Sequence, residues 1–140
     1  MVTDEQLAAW LSRLGARAAL ASPHAKQNAW ASAVDGSLSN HELEAVGRGF
    51  WQPDQTGQRE LLAPYRDRYA QAIPEVARTA SAAVLDDFGR LLFPRTLVEQ
   101  SSVDMADALL RGAQLTAPAR RIVAECRDDV LEGLRATAAQ

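Results

Sequence analysis

The sequence predicts an all-α fold of about seven antiparallel helices, arranged as stacked helix pairs in a HEAT-like α-α superhelix. Alanine, the strongest helix former, occurs 27 times among the 140 residues. Apolar residues recur at i, i+3, i+4 and i+7 along most of the chain, which is the spacing of one helix face. No stretch alternates apolar and polar residues with the period of a strand. We therefore expect a single helical domain over residues 1–140.

The first three predicted helices start at residues that cap helices well. Thr3 precedes the first, Ser22 with Pro23 starts the second, and Ser39 with Glu42 has the spacing of a capping box. The predicted buried faces are Leu7, Trp10, Leu11 and Leu14 in the first helix, Trp30 and Val34 in the second, and Leu43, Val46 and Phe50 in the third. We expect the first helix to end or bend at Gly15, and turns at residues 35–37 and at 53–54.

Four further helices are predicted after residue 54. A stripe of Leu61, Leu62, Tyr65 and Tyr69 is interrupted at Pro64. Beyond Pro74, one helix face continues through Val76, Ala80, Val84, Phe88 and Leu91 or Leu92, until Pro94 closes it. A shorter helix carries Val103, Ala106, Leu109 and Leu110, and the last begins near Pro118 and presents Ile122, Cys126, Val130 and Leu134.

Charge and composition exclude several classes of function. The net charge is −3, whereas a nucleic-acid-binding domain usually has a basic surface. No stretch reaches the ~20 apolar residues needed to span a bilayer, so no membrane partner is expected. Cys126 is the only cysteine, which excludes an internal disulfide and favours a reducing compartment. We expect the chain to be cytoplasmic.

A zinc-peptidase helix needs two histidines at i and i+4 with a glutamate beside the first, because that spacing puts both imidazoles on one face. Residues 41–45 read H-E-L-E-A, so Ala45 stands where the second histidine should be. His24 is the only other histidine and falls in a different predicted helix. We therefore expect no metal ligands and no catalytic residues in this chain, with both histidines at exposed helix starts.

Other reactive side chains have ordinary structural interpretations. Cys126 lies on an apolar stripe and is expected to be an inert core thiol. The tyrosine pair of the fourth stripe is expected to pack in the core, and the Asp86-Asp87 and Asp128-Asp129 pairs to lie on solvated faces. Arg120 and Arg121 oppose the dipole of the last helix, so we expect an acidic partner such as Glu99, with a binding role as the alternative.

Short motifs follow one another along the chain in a distinctive order. They are residues 26–30 (K-Q-N-A-W), 38–40 (L-S-N), 49–50 (G-F), 60–65 (E-L-L-A-P-Y) with Tyr69, 92–94 (L-F-P), 98–100 (V-E-Q), 103–104 (V-D), 118–121 (P-A-R-R) and 125–130 (E-x-R-D-D-V). Their order and spacing over about residues 26–135 resemble the C-terminal helical domain of bacterial, particularly actinobacterial, aminopeptidase N. That domain is the counterpart of the C-terminal domain of the endoplasmic-reticulum aminopeptidases.

The resemblance implies a non-catalytic C-terminal domain that covers the active-site chamber of a zinc metallopeptidase. It implies no cofactor in this chain, because zinc would be bound by the catalytic domain of the parent enzyme. The implied partners are that catalytic domain and the distal part of peptide substrates. Arg48, Arg59 and Arg120 are the candidate peptide-binding residues, since each lies near a helix end or turn and guanidinium groups bind carboxylates. The alternative function is a free-standing helical scaffold that binds a protein partner.

Overall fold

The computed structural model describes residues 1–51 and 58–139, and these ranges contain seven helices and no strand. The helices are α1 (Asp4–Ala19), α2 (Pro23–Val34), α3 (Asn40–Phe50), α4 (Gln58–Thr79), α5 (Ala82–Leu91), α6 (Gln100–Arg111) and α7 (Ala117–Ala138). The predicted all-α class is confirmed. The turn predicted at 53–54 lies outside the described residues, and the antiparallel direction of the helix pairs stays a prediction.

The helices pack in two rows. In one row α1 contacts α3, α3 contacts α5, and α5 contacts α7; in the other, α2 contacts α4 and α4 contacts α6. Contacts of α1 with α2, α4 with α5, and α6 with α7 join the rows. The core lies between them.

Local capping explains where the helices of the first half begin. The Thr3 and Ser39 side chains each accept a hydrogen bond from the backbone N–H three residues later, and Gln6 and Glu42 complete two capping boxes. Ser22 caps α2, as predicted. The expected end of α1 at Gly15 is wrong, because α1 continues to Ala19.

Gly15 and Gly49 serve a different purpose: they let α1 and α3 approach closely. A Cβ at Gly49 would overlap the carbonyl oxygen of Gly15, and a Cβ at Gly15 would lie 3.3 Å from the carbonyl oxygen of Ala45. The absence of both side chains therefore allows backbone-to-backbone packing at the start of the odd-numbered row.

The boundary between α4 and α5 differs from the prediction. The expected single helix from Pro74 to Leu92 is wrong, because α4 ends at Thr79 and Ser81 starts α5 by accepting a hydrogen bond from the N–H of Val84. The predicted interruption at Pro64 is also wrong, since α4 runs through both prolines. The free energy gained by burying one face of α4 outweighs the loss of the backbone hydrogen bonds that the prolines cannot donate. The buried residues of this helix include Leu62, Tyr65, Tyr69, Ile73 and Val76.

Aromatic side chains fill the centre of the core. The Trp30 ring contacts Phe50, Tyr65 and Phe88, with ring centroids 5.5, 5.4 and 6.0 Å away. Tyr69 lies against Phe88, and its hydroxyl donates a 2.7 Å hydrogen bond to the Gly89 carbonyl. The core role predicted for both tyrosines is confirmed, and burial raises the pKa of Tyr69 above its ordinary value.

Not every predicted core position is buried, and Leu7 of α1 is 39% exposed. Trp30, Phe50, Phe88 and Ile122 are buried as expected. Val84 is only half-buried, because the new start of α5 turns Leu85 into the core instead. Val34 at the end of α2 is exposed.

A buried lysine joins the ends of three helices. The side chain of Lys26 in α2 is 0% exposed. Its Nζ donates to the carbonyl oxygens of Ala18 at 2.5 Å and Phe50 at 2.7 Å, near the C-termini of α1 and α3, and lies 5.0 Å from the Phe50 ring centre. Carbonyls in the last turn of a helix have no partner within the helix, so the ammonium satisfies them. Burial lowers the pKa of Lys26 to about 8.

None of the helices in the described part of the chain combines the length and apolar character that crossing a bilayer requires.

Replacing Phe88 with alanine should lower the free energy of unfolding by about 3–5 kcal/mol, because the ring is fully buried and its loss leaves a cavity. Urea denaturation followed by circular dichroism measures this change. Val84→Ala is the matched control on the same helix and should have a clearly smaller effect. A loss below about 1 kcal/mol for Phe88→Ala would contradict the assigned core.

Lys26 should make the free energy of unfolding rise with pH between about 8 and 10.5. The unfolded lysine has the higher pKa, so the unfolded chain binds more protons in that window and raising the pH favours the folded state. The slope cannot exceed about 1.4 kcal/mol per pH unit for one proton.

The pH measurement compares two proteins that both carry Cys126→Ala. One retains Lys26, and the other carries Lys26→Met. The cysteine is removed because burial raises its pKa to about 11, which gives a slope of opposite sign above the ordinary thiol pKa. Equal slopes in the two proteins would show that Lys26 has an ordinary pKa in the folded state.

Candidate functional site

Arg48, the first candidate peptide-binding residue, lies on α3 and faces solvent. Its side chain is 71% exposed, and its guanidinium lies 4.0 Å from the Glu44 carboxylate one turn earlier on the same helix. An exposed pair of this kind contributes little to stability. The pair with Glu44 therefore adds little to the fold, and most of the Arg48 side chain faces solvent.

Arg59, the second candidate, lies in the first turn of α4 and pairs with the residue that precedes α6. Its guanidinium donates to the Glu99 carboxylate at 2.5 Å, and this hydrogen bond raises the pKa of Arg59 above its ordinary value. Arg66 lies two turns further along α4. Its guanidinium is 3.9 Å from the same carboxylate and donates to the Ser102 hydroxyl at 3.4 Å. Two guanidinium groups thus share one carboxylate between α4 and α6.

Arg120, the third candidate, caps the end of α6. Its guanidinium donates to the carbonyl oxygens of Leu110 and, at 3.0 Å, Gly112. These carbonyls belong to the last turn of α6 and its C-cap, where a cation is favourable. The expected ion pair of Arg120 with Glu99 is therefore wrong, because Glu99 pairs with Arg59 and Arg66.

The three candidate arginines lie on three different helices, α3, α4 and α7, and the contacts given for them within residues 1–51 and 58–139 are with different partners. Sequence reasoning missed Arg66, whose side chain is 15% exposed, compared with 63% for Arg59. Its signal was weak, since Arg66 and Glu99 are 33 positions apart in the sequence. Only the packing of α4 against α6 brings them together.

Both histidines lie at exposed helix starts, as predicted: His24 is the second residue of α2, and His41 is the second residue of α3. Within residues 1–51 and 58–139, no group of three or more histidine, cysteine, aspartate or glutamate residues could hold a metal ion.

Cys126 packs half-buried against the core, as its position on the α7 stripe predicts. Burial raises the pKa of its thiol to about 11, which disfavours the reactive thiolate at neutral pH. The two Asp-Asp pairs were predicted to lie on solvated faces. Asp86, Asp128 and Asp129 are exposed, while Asp87 is half-buried.

Asp86 belongs to an ion-pair network that joins α5 and α7. Arg90 donates to Asp86 at 2.9 Å on its own helix and to Glu125 of α7 at 2.7 Å. Both hydrogen bonds raise the pKa of Arg90 above its ordinary value, and they give Asp86 a structural role as its partner.

No protein-family model matches the chain. Over 125 residues, or 89% of the chain, the sequence is 41% identical to an aminopeptidase N from Streptomyces lividans. The chain spans only 14% of that relative's length. The resemblance that the ordered motifs predict is thereby confirmed: over most of its length, this helical chain is similar to one segment of an aminopeptidase N.

Proposed function

We propose that the chain is the non-catalytic C-terminal domain of an aminopeptidase N-like zinc metallopeptidase. The identity of 41% over 89% of the chain supports this proposal. Most of the chain matches, but the match covers only 14% of the relative, as expected for one domain of a larger enzyme. The described residues include no group of metal ligands, which is consistent with zinc being held by a separate catalytic domain. The single cysteine supports a cytoplasmic location.

In this proposal the two helical rows cover the active-site chamber. A rigid cover excludes bulk water from the reacting groups and limits access to peptides that fit inside. The N-terminus of a peptide would be held at the zinc, so the distal end of a longer peptide would reach the helical domain. Arg48, Arg59 and Arg120 are proposed to contact that distal end through its carboxylate or carbonyl oxygens.

The proposal predicts different kinetics for short and long substrates. A hybrid enzyme would carry this chain in place of the matching segment of the Streptomyces lividans aminopeptidase N, and a truncated enzyme would lack that segment. We expect the hybrid to have a lower KM than the truncated enzyme for peptides of about ten residues, because only long peptides reach the cover. Steady-state kinetics with these peptides and with aminoacyl-anilides measures the difference. The isolated chain should hydrolyse neither substrate and should contain no stoichiometric zinc by metal analysis.

Two results would contradict the proposed function. Near-equimolar zinc with peptidase turnover in the isolated chain would place a catalytic site within it. Identical kinetics of the hybrid and truncated enzymes on both substrate lengths would leave the alternative, a scaffold that binds a protein partner.

The arginine assignments are tested by Arg48→Ala, Arg59→Ala and Arg120→Ala in the hybrid enzyme. At least one variant should raise KM for long peptides and leave it unchanged for aminoacyl-anilides. Loss of an exposed contact changes KM less than about threefold, whereas loss of a desolvated charged hydrogen bond changes it by roughly 10- to 150-fold.

Arg78→Ala is the matched control for the three variants, because Arg78 is exposed and pairs within its own helix with Glu75. Arg120→Ala also removes the cap of α6, so its melting temperature is measured alongside. The assignment fails if all three variants affect short and long substrates equally, or if none has any effect.

A further inference from the structure

Glu99 stands at the N-cap position of α6, but its side chain does not cap that helix. Its carboxylate faces α4 instead, where Oε2 accepts a 2.5 Å hydrogen bond from the Arg59 guanidinium. The other oxygen, Oε1, is buried and has no hydrogen-bond partner in the part of the chain that the structure describes. A carboxylate can accept hydrogen bonds at both oxygens, so Glu99 is held in a way that leaves half of it unsatisfied.

Two cations of α4 share the single oxygen that Glu99 offers. Besides Arg59, the guanidinium of Arg66 lies 3.9 Å from Oε2 and donates to the Ser102 hydroxyl at 3.4 Å. Ser102 is fully buried, and its hydroxyl donates to the Leu97 carbonyl at 2.7 Å, which fixes its position. Arg59, Arg66 and Ser102 therefore form a polar cluster that Glu99 fills incompletely, and we call it the α4–α6 cluster.

A second carboxylate, Glu60, lies next to Arg59 in the sequence. Glu99 raises the pKa of Arg59 most, through its hydrogen bond, and Glu60 raises it least. Successive residues of a helix do not face each other, and Glu60 is exposed, so it stands to one side of the cluster. Opening the contact with Glu99 therefore leaves the two guanidinium groups for a ligand.

The α4–α6 cluster is open to solvent on one side. The Arg59 side chain is 63% exposed, whereas the Glu99 and Arg66 side chains are 24% and 15% exposed. An incoming carboxylate reaches Arg59 first, and Arg66 forms the inner wall behind it. A guanidinium group offers a planar fork of N–H donors that binds both oxygens of one carboxylate. A ligand that uses both oxygens thus has a better contact than Glu99 has.

We propose that Glu99 is an internal competitor in the α4–α6 cluster, where the C-terminal carboxylate of a long peptide displaces it from Arg59 and Arg66. This inference rests on the proposed function and deepens it, since it names the peptide group that binds and the residue that opposes binding. A competitor on the same chain has a high effective concentration, so weakly held groups do not displace it. The released carboxylate stays at the positive end of the α6 dipole, which lowers the cost of displacement.

Binding to the isolated chain tests the site directly. The probe is a fluorescently labelled peptide of about ten residues without acidic side chains, made once with a free C-terminal carboxylate and once with a C-terminal amide. Fluorescence anisotropy gives the Kd of each. The free acid should bind at least about tenfold more tightly, because the charged hydrogen bonds to both arginines need the carboxylate. Equal affinities would overturn the carboxylate site.

Glu99→Gln tests the competition. This variant should bind the free-acid peptide roughly three- to tenfold more tightly than the parent chain, because no internal carboxylate has to leave the arginines. Its affinity for the amide should change less than about twofold. Glu75→Gln is the matched control, since Glu75 is the exposed partner of Arg78 on the same helix, and it should leave both affinities unchanged. Unchanged or weaker binding of the free acid by Glu99→Gln would overturn the role of Glu99.

Arg66→Gln tests the inner wall of the cluster. It should weaken binding of the free acid to the level of the amide, with the helix content unchanged by circular dichroism. The double variant Glu99→Gln/Arg66→Gln removes both members of the pair, so it remains informative if the single variant loses its fold. A double variant that binds the free acid as tightly as Glu99→Gln alone would exclude Arg66 from the site and overturn the assignment.

The hybrid enzyme separates this inference from the proposed function. There, Glu99→Gln should lower KM for long free-acid peptides by about the same factor as the Kd. Selective binding of the free acid by the isolated chain, with a hybrid whose kinetics match the truncated enzyme, supports the carboxylate site and contradicts the chamber role. A hybrid with the expected kinetics, whose isolated chain binds free acid and amide equally, overturns the site and leaves the proposed function intact.

Discussion

The ammonium group of Lys26 is the interaction on which the first half of the structure depends. It lies in the core and satisfies carbonyls at the ends of α1 and α3, from a helix that stands between them in the sequence. A buried charge without partners is strongly unfavourable, so the two carbonyls and the Phe50 ring have to be in place for the fold to hold it. The hydrogen bonds of this one ammonium group thereby fix the positions of α1, α2 and α3 relative to one another.

Close packing in the odd-numbered row extends this constraint through the domain. Gly49 lets α3 approach α1, and Gly47 lets it approach α5, where an added Cβ would lie 2.6 Å from the Cβ of Leu91. Gly89 allows α5 to approach α7 in the same way, with Ile122 only 2.8 Å from an added Cβ. Helices that approach this closely leave little freedom for the row to bend, which is compatible with the proposed role as a cover.

The arginines divide into structural and available groups according to their partners. Arg90 and Arg120 have partners across helix boundaries, on Glu125 and on the α6 carbonyls, and both hold the fold together. Arg48 is exposed and pairs with Glu44 on its own helix, and Arg13 stacks on a tryptophan. Availability for binding therefore depends on what the neighbouring helices present, and not on where an arginine falls in its own helix.

The sequence by itself determined the all-α class, most helix starts and the aromatic core. These features depend on neighbours within one or two turns: Thr3, Ser22 and Ser39 cap residues only three positions away, and Trp30 lies on a local apolar face. The ordered motifs likewise predicted the similarity to aminopeptidase N. Tertiary structure alone decided the burial of Lys26 and the cap that Arg120 places on α6, because each depends on atoms from another helix. The partial exposure of the apolar residues of α1 could not be predicted from the sequence either, because their spacing is that of a fully buried helix. Only the positions of α2 and α3 show that Leu7 stays exposed.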